Sequence, residues 1–421
     1  MLPNTTPRGF RPTNPFIIGH PAEGEHFADR VDEVETIVRT MLDPSSRLVV
    51  YGERRLGKSS AVARAATLAR EAGHDVAIID LAKVTSAEAA AQKVLSAVHT
   101  EIGRRWTDTA LDLIKRLRAG SISLTGGVDA NGQPTVSFAV NPALSGPNGQ
   151  IFTEVLDAVE AELASRKLTM GIALDEFQRL RLWCGEEIDW PLKSMFERHR
   201  HIAYVLAGSE RALITQMLAN KKAGLWKVVD ILDMQPIPNA ILAQWLVKRA
   251  DDTGVRFERL AAASVVLLAG PRTRDVVQLA RVLWDATTQV GTATSADAVA
   301  ALDQLVDEQA SLHLRTWKTY EGKVHQRLLA LFAANPSLKI TSAAVVQQHH
   351  LGPKTTITRA VGSLVADEIL VETASGAYVC DDPFFQRWLE LNVFEDFGFP
   401  IPNRTLSSRD HAVAAMLTAM G

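Results

Sequence analysis

The stretch VVYGERRLGKSS, Val49 to Ser60, decides how the rest of the chain is read. An apolar run from Leu48 to Tyr51 stops at Gly52, two arginines (Arg54 and Arg55) follow, and Gly57-Lys58-Ser59-Ser60 opens a helix-like stretch. Gly52, Gly57, Lys58 and Ser59 fit G-x-x-x-x-G-K-[ST] at every fixed position. Glycines let the backbone wrap an anion so that successive N–H groups point at phosphate oxygens. The helix that follows adds its positive N-terminal end. Lys58 would then reach the β- and γ-phosphates of ATP, and the Ser59 hydroxyl would ligate Mg²⁺.

A second anchor for the metal is expected. In MGIALDEFQRL, residues 170–180, an apolar run ends in Asp175-Glu176. Acidic residues that close a buried strand stand at the C-terminal edge of the sheet, where open α/β folds bind ligands. Asp175 is expected to hold the magnesium shell and Glu176 to orient or deprotonate the attacking water. The competing reading is that Asp175 only caps the next helix. A third apolar run, in AYVLAGSERALI (203–214), ends at Gly208-Ser209. Ser209 is either a sensor of the γ-phosphate or a turn serine, and Arg211 is a weaker candidate for the same task.

Around these motifs short apolar runs alternate with helical periods from about 30 to 235, which argues for βαβ units and a parallel sheet buried on both faces. The segment 121–140 breaks that rhythm. It alternates with period two around Asn131-Gly132 and predicts an inserted β-hairpin. Residues 1–16 read as an extended arm and 17–236 as an α/β P-loop core. Residues 237–318 show only helical periods and read as an all-α lid. Residues 319–395 show helix-turn-helix and then strand-turn-strand, the pattern of a winged helix, and 396–421 read as a tail.

Composition narrows the class. The 421 residues are 47% hydrophobic and 22% charged with a net charge of −3, so the chain as a whole has no basic signature of a nucleic-acid binder. The two cysteines, Cys184 and Cys380, stand in no metal-ligand spacing and read as reduced buried thiols. No apolar run approaches a bilayer span and the N-terminus has no signal-peptide core, so a soluble cytoplasmic protein with no membrane partner is expected. Glu197 to His201 reads as a helix end, and the adjacent His349 and His350 face different ways.

Six stretches, NPFIIGHPAEGEHFADRVDEV, YGERRLGKSS, ALDEFQRL, YVLAGSERALI, LAGPRTRDVVQLA and CDDPFFQRWLEL, fall in an order that resembles the archaeal-type prokaryotic ATPases. These belong to the AAA+/STAND group of P-loop proteins, and the resemblance covers nearly all of 15–392. It implies an ATPase core, a helical lid and a winged helix in one chain. FADRVDE (27–33) resembles the family's box before the P-loop, in which an arginine, here Arg30, helps seat the nucleotide; Asp29 and Val31 depart from the usual Gly and Glu. AGPRTRD resembles the lid motif in which Pro271 lies against adenine while an arginine, Arg272 or Arg274, reaches the phosphates. Relatives often carry an aromatic-Arg pair before the last core strand. Here Leu225-Trp226-Lys227 stands there, and lysine lacks the planar fork of an arginine finger.

The resulting expectation is an Mg-ATP-binding switch with slow ATPase activity whose nucleotide state repositions the lid and winged helix, with self-association as an open partner question. Two alternatives stand beside it: a DNA-loading ATPase of replication-initiator plan, and a nucleotide-bound scaffold that does not hydrolyse. A small-molecule kinase shares the P-loop but fits Glu176, the lid and the winged helix badly. Lys354, Thr356 and Arg359 on the would-be recognition helix suit contacts to double-stranded DNA. Against this, residues 321–391 hold six Lys/Arg and seven Asp/Glu, a net of −1, and phosphate neutralisation dominates affinity for DNA.

Overall fold

Among the described residues, the first part of the chain contains the strands β1 (Arg47–Tyr51), β2 (Asp75–Asp80), β3 (Ile122–Val128), β4 (Pro134–Val140), β5 (Met170–Asp175), β6 (Ile202–Gly208) and β7 (Asp230–Asp233). In this computed structural model, residues 13–19, 24, 27–103, 122–128, 134–141, 149–218, 224–288, 291–322, 324–373 and 375–420 are described. Five of the strands make one parallel sheet in the order β2-β5-β6-β1-β7. β3 and β4 pair antiparallel from Ile122↔Val140 to Val128↔Pro134, as the period-two pattern predicts; the expected turn at Asn131-Gly132 lies outside the described residues.

The unbroken apolar runs have a simple cause, because both faces of the sheet are covered. Leu48, Val50, Val205 and Ala207 face α1 (Val31–Leu42) and α2 (Lys58–Glu71) in one apolar cluster. Val49, Ile172, Leu174, Tyr204 and Leu206 face the other way, into a cluster with α3 (Ala87–Gly103) and α4 (Gln150–Arg166). The strands run in register, so β1, β5 and β6 all end at one edge: Tyr51 pairs with Gly208, and Asp175 with Ala207. Tertiary pairing thus assembles the three sequence motifs along one rim.

The opposite rim holds the Glu197–His201 segment. After the short α5 (Leu180–Cys184), α6 (Asp189–Arg198) ends where expected, and His199 turns inward. Its Nδ1 lies 2.9 Å from the hydroxyl of fully buried Tyr204 and its Nε2 lies 2.7 Å from Asp157. The Arg47 guanidinium sits over the Tyr204 ring and donates to the carbonyls of Phe196 and His199. This is a structural pin: the imidazole nitrogens and the terminal nitrogens of Arg47 are partnered, while Arg47 Nε is buried without a hydrogen-bond partner.

The described residues divide into two compact units, one of Gly19–Ile237 and the other of Pro238–Gly421 together with the segment ending at Ile18. α7 (Arg211–Leu218) completes the helices of the first. The second contains α8 (Asn239–Asp251), α9 (Arg259–Ala269), α10 (Thr273–Thr287), α11 (Ser295–Glu308) and α12 (Ala310–Lys318). One difference from the all-α expectation is a two-residue parallel pair, β8 (Arg256–Phe257) with β9 (Thr292–Ala293), too short to leave a periodicity. Next come α13 (Val324–Ala334), α14 (Ala343–Gln348), α15 (Lys354–Ala366), the antiparallel β10 (Leu370–Glu372) and β11 (Tyr378–Cys380), and α16 (Pro383–Asn392): helix-turn-helix, wing and closing helix.

The described residues before Gly19 and the last helix of the chain belong to this second unit. Phe16 is fully buried, stacked on Phe257 at 5.8 Å and edge-on to Trp245 at 5.9 Å. Full burial of a phenyl ring contributes roughly 1.5–3 kcal/mol. Near the C-terminus, α17 (His411–Ala419) packs on α8 and α9, and the Met420 and Leu417 carbonyls accept from Gln244 and Arg259. Among the described residues no helix is long and apolar enough to cross a membrane.

Candidate functional site

The P-loop leaves β1 through Gly52, where an added Cβ would lie 2.6 Å from the Met234 carbonyl oxygen, so only glycine fits under β7. It enters α2 through Gly57 at φ +94°, a left-handed conformation that glycine adopts without strain. Between them Arg54 is exposed and Arg55 half-buried with φ 68°. Lys58 folds back into the loop, and its Nζ donates to the carbonyls of Gly52 at 2.9 Å and Glu53 at 2.6 Å. Burial pushes the pKa of Lys58 down, opposed by the charges of Glu176 and Asp175. Ser60 lies half-buried in the first turn of α2.

Ser59 and Asp175 are 116 residues apart in sequence, yet the Ser59 hydroxyl donates to Asp175 Oδ2 at 2.6 Å. Burial raises the Asp175 pKa, partly offset by that hydrogen bond, and the Glu176 and Asp80 charges add to the rise. Asp80 ends β2 opposite Asp175 and was not singled out from the sequence. Two hard oxygen donors side by side on a carboxylate-rich rim suit Mg²⁺, which binds through one or two carboxylates and keeps the rest of its shell for water and phosphate.

Glu176 sits at φ 55°, outside the usual backbone regions for a non-glycine residue. Ser209 Oγ lies 2.9 Å from both carboxylate oxygens, and Gln178 Nε2 lies 2.5 Å from Oε2. The serine at the tip of β6 and the glutamate after β5 therefore form a direct pair. Arg211 pairs with Asp233 at the same rim and lies over the Tyr51 ring at 5.3 Å.

Arg30 lies between the P-loop and the chain leaving β7. Its side chain is buried and donates to the Leu56 carbonyl at 3.0 Å, the Gln235 carbonyl at 2.6 Å and Glu33 at 2.8 Å. Geometrically it ties the middle of the P-loop to the chain leaving β7. Lys227 is exposed, with φ 57°, and its Nζ lies 5.8 Å from the centroid of the Trp226 ring.

In the second unit the two arginines of the lid motif stand differently. Arg272 is buried and forks onto the Asp381 carboxylate and its backbone carbonyl, while Pro271 and Arg274 are exposed. On α15, Lys354, Thr356 and Arg359 are exposed, and Ile357, Ala360 and Leu364 face inward.

Residues 314–391 match a family model described as "Probable winged helix domain". No curated protein matches the chain by sequence. Among solved structures, the Walker-type ATPase of Pyrococcus abyssi superposes with a TM-score of 0.55 at 15% identity, covering 89% of this chain and 99% of that one. The ORC2 protein of Aeropyrum pernix, solved as ADPNP-ADP complexes, also gives 0.55, at 14% identity and with 97% and 98% coverage. The fold is that of a P-loop ATPase ending in a winged helix. These two neighbours, a Walker-type ATPase and an ORC2 protein, are in keeping with the resemblance read from the motifs.

Proposed function

We propose that the protein is an Mg-ATP-dependent switch that hydrolyses ATP slowly and transmits its nucleotide state to the winged helix. The observation that supports this most directly is the rim at which Lys58, Ser59, Asp175, Glu176 and Ser209 converge from three strand ends. The backbone from Gly52 to Gly57, with Lys58 and Ser60, would hold the phosphates. Arg274, exposed beside Pro271, is the better placed of the two lid arginines to meet a ligand. Ser59 and Asp175 would hold Mg²⁺, which when bound neutralises phosphate charge. Glu176 would accept the proton of the attacking water or orient it, and Ser209 would sense the terminal phosphate.

Arg272–Asp381 and Arg387–Asp303 join lid to winged helix, so the body to be repositioned is lid, winged helix and tail together. Calorimetric ATP titration and phosphate-release kinetics on wild type, Lys58→Ala and Glu176→Gln test the reading. Lys58→Ala should lose tight ATP binding; Glu176→Gln should keep it while hydrolysis falls by ~10² or more. Unchanged affinity in the first variant sinks the nucleotide site, and unchanged turnover in the second sinks Glu176 as the hydrolytic residue.

A second reading, contact of the winged helix with double-stranded DNA, is favoured by where its acids go. Asp381 is held by Arg272, Glu390 by Arg387 and Arg404, and Asp382 caps α16. Three of the seven carboxylates counted against DNA are therefore engaged within the protein, as is Arg387 among the six bases, while Lys354 and Arg359 remain exposed. Binding of a duplex that weakens steeply with salt, and that Lys354→Ala and Arg359→Ala reduce, is the expected result.

A further inference from the structure

Gln178 stands two residues beyond Glu176, within the stretch ALDEFQRL but with no role assigned above, and it is wholly buried. Its Nε2 donates to Glu176 Oε2 at 2.5 Å. An ionised carboxylate only accepts, so the nitrogen must face Glu176 and the amide oxygen must point away. That oxygen, Oε1, is buried without a hydrogen-bond partner. A buried acceptor left unpaired is costly, and such an arrangement persists only where the surrounding structure holds it.

The neighbouring strand is shaped to hold it. A Cβ added to Gly208, the last residue of β6, would lie 2.3 Å from Gln178 Oε1 and 2.6 Å from Ile214 Cδ1. Gly208 shows no positive φ, so its need for glycine comes from the space that the amide, and beside it Ile214, occupies. Ser209, the next residue, donates to the same Glu176 carboxylate. A serine hydroxyl has one proton and cannot give it to a carboxylate and to a phosphate at once. If Ser209 turns to a terminal phosphate, Gln178 remains as a restraint on Glu176.

We propose that Gln178 is a positioning residue that keeps Glu176 aimed into the site, and that Gly208 is glycine to admit its amide. This rests on the hydrolytic reading above. A group displaced by about 1 Å from its working position can lose ~10² in rate. Gln178→Met, which keeps length and packing but removes the donor, should therefore lower kcat by about 10- to 100-fold. The ATP dissociation constant should stay within about twofold, because no phosphate contact is lost. Gly208→Ala should reproduce the fall with Gln178 still present, and it should add much less in a Gln178→Ala background, where only Ile214 still meets the new Cβ.

A readout independent of turnover is the side-chain amide resonance of ¹⁵N-labelled protein, assigned by its loss in Gln178→Met. It should move when Glu176 is replaced by Gln. Wild-type kcat in both Gln178→Met and Gly208→Ala, with Glu176→Gln inactive, overturns the assignment and leaves the hydrolytic reading intact. An amide resonance unmoved by Glu176→Gln also overturns it. A Glu176→Gln protein that turns over like wild type overturns the hydrolytic reading instead, and the assignment falls with it.

Discussion

Replacing Arg387 by Met should loosen the junction of lid, winged helix and tail. The Arg387 side chain is 7% exposed and bridges three partners: Asp303 at 2.7 Å, Glu390 at 3.1 Å and the Pro402 carbonyl at 3.2 Å. Asp303 is 38% exposed, so its lost pair returns to water at little cost. Glu390 is different. It has no exposed surface, and after the substitution it keeps only Arg404, itself 35% exposed. Removing one partner of a buried pair typically costs 3–5 kcal/mol, and the surviving Arg404 places this case near the lower end, about 3 kcal/mol. For a unit of roughly 150–250 residues each kcal/mol shifts Tm by about 2–4 °C, so a fall of about 6–12 °C is expected for the second unit.

Scanning calorimetry on the whole protein reads this directly, with the nucleotide-stabilised transition marking the first unit. The double variant Arg387→Met, Glu390→Leu should recover much of the loss, because an apolar pair of similar volume often replaces a buried ion pair without penalty. A single variant melting within about 1 °C of wild type would refute the reasoning. So would a double variant less stable than the single one.

Two further outcomes follow from the other rims. Burial works against ionisation of Asp157 and Glu160, but hydrogen bonds from His199 and Arg198, and from Arg200 and His201, hold both carboxyls below their ordinary values of 3.8 and 4.5. A depressed carboxyl stabilises the fold above its unfolded pKa and loses that contribution as pH falls through the folded one. Wild type and Asp157→Asn/Glu160→Gln should therefore converge in stability in urea titrations below about pH 4, having differed at neutral pH; a constant difference at all pH values would contradict this. At Lys227, a point charge replaces a fork worth 10³ to 10⁵ in rate when an arginine finger is present. Phosphate release should be slow, roughly below one turnover per second against typical enzymes, and nearly independent of protein concentration over a hundredfold dilution. Lys227→Arg should raise it if this exposed position meets a neighbour's site. A steeply concentration-dependent wild type would mean that another basic residue acts as the finger.

What was legible in the sequence is what short range controls. Gly52, Gly57, Lys58 and Ser59 lie within eight residues of one another, and their spacing alone dictates a strand, a turn that needs glycine, and a helix end. Asp175-Glu176 and Ser209 were likewise readable as strand tips, because an apolar run that stops at a polar residue says where a buried strand ends. The sequence also carried the alternation of the inserted hairpin and the helix-turn-helix of the winged domain. Tertiary structure alone decided which tips meet. β6 lies between β1 and β5, so Ser209 faces Glu176 and Ser59 reaches Asp175, contacts separated by 33 and 116 residues. It also joined Arg272 to a carboxylate 109 residues away, packed Phe16 against Phe257, and engaged three winged-helix acids in ion pairs or a helix cap. Spacing fixes direction along a strand or helix within a few residues. A hydrogen bond or ion pair across the fold depends on side-chain position in three dimensions, which no local pattern encodes.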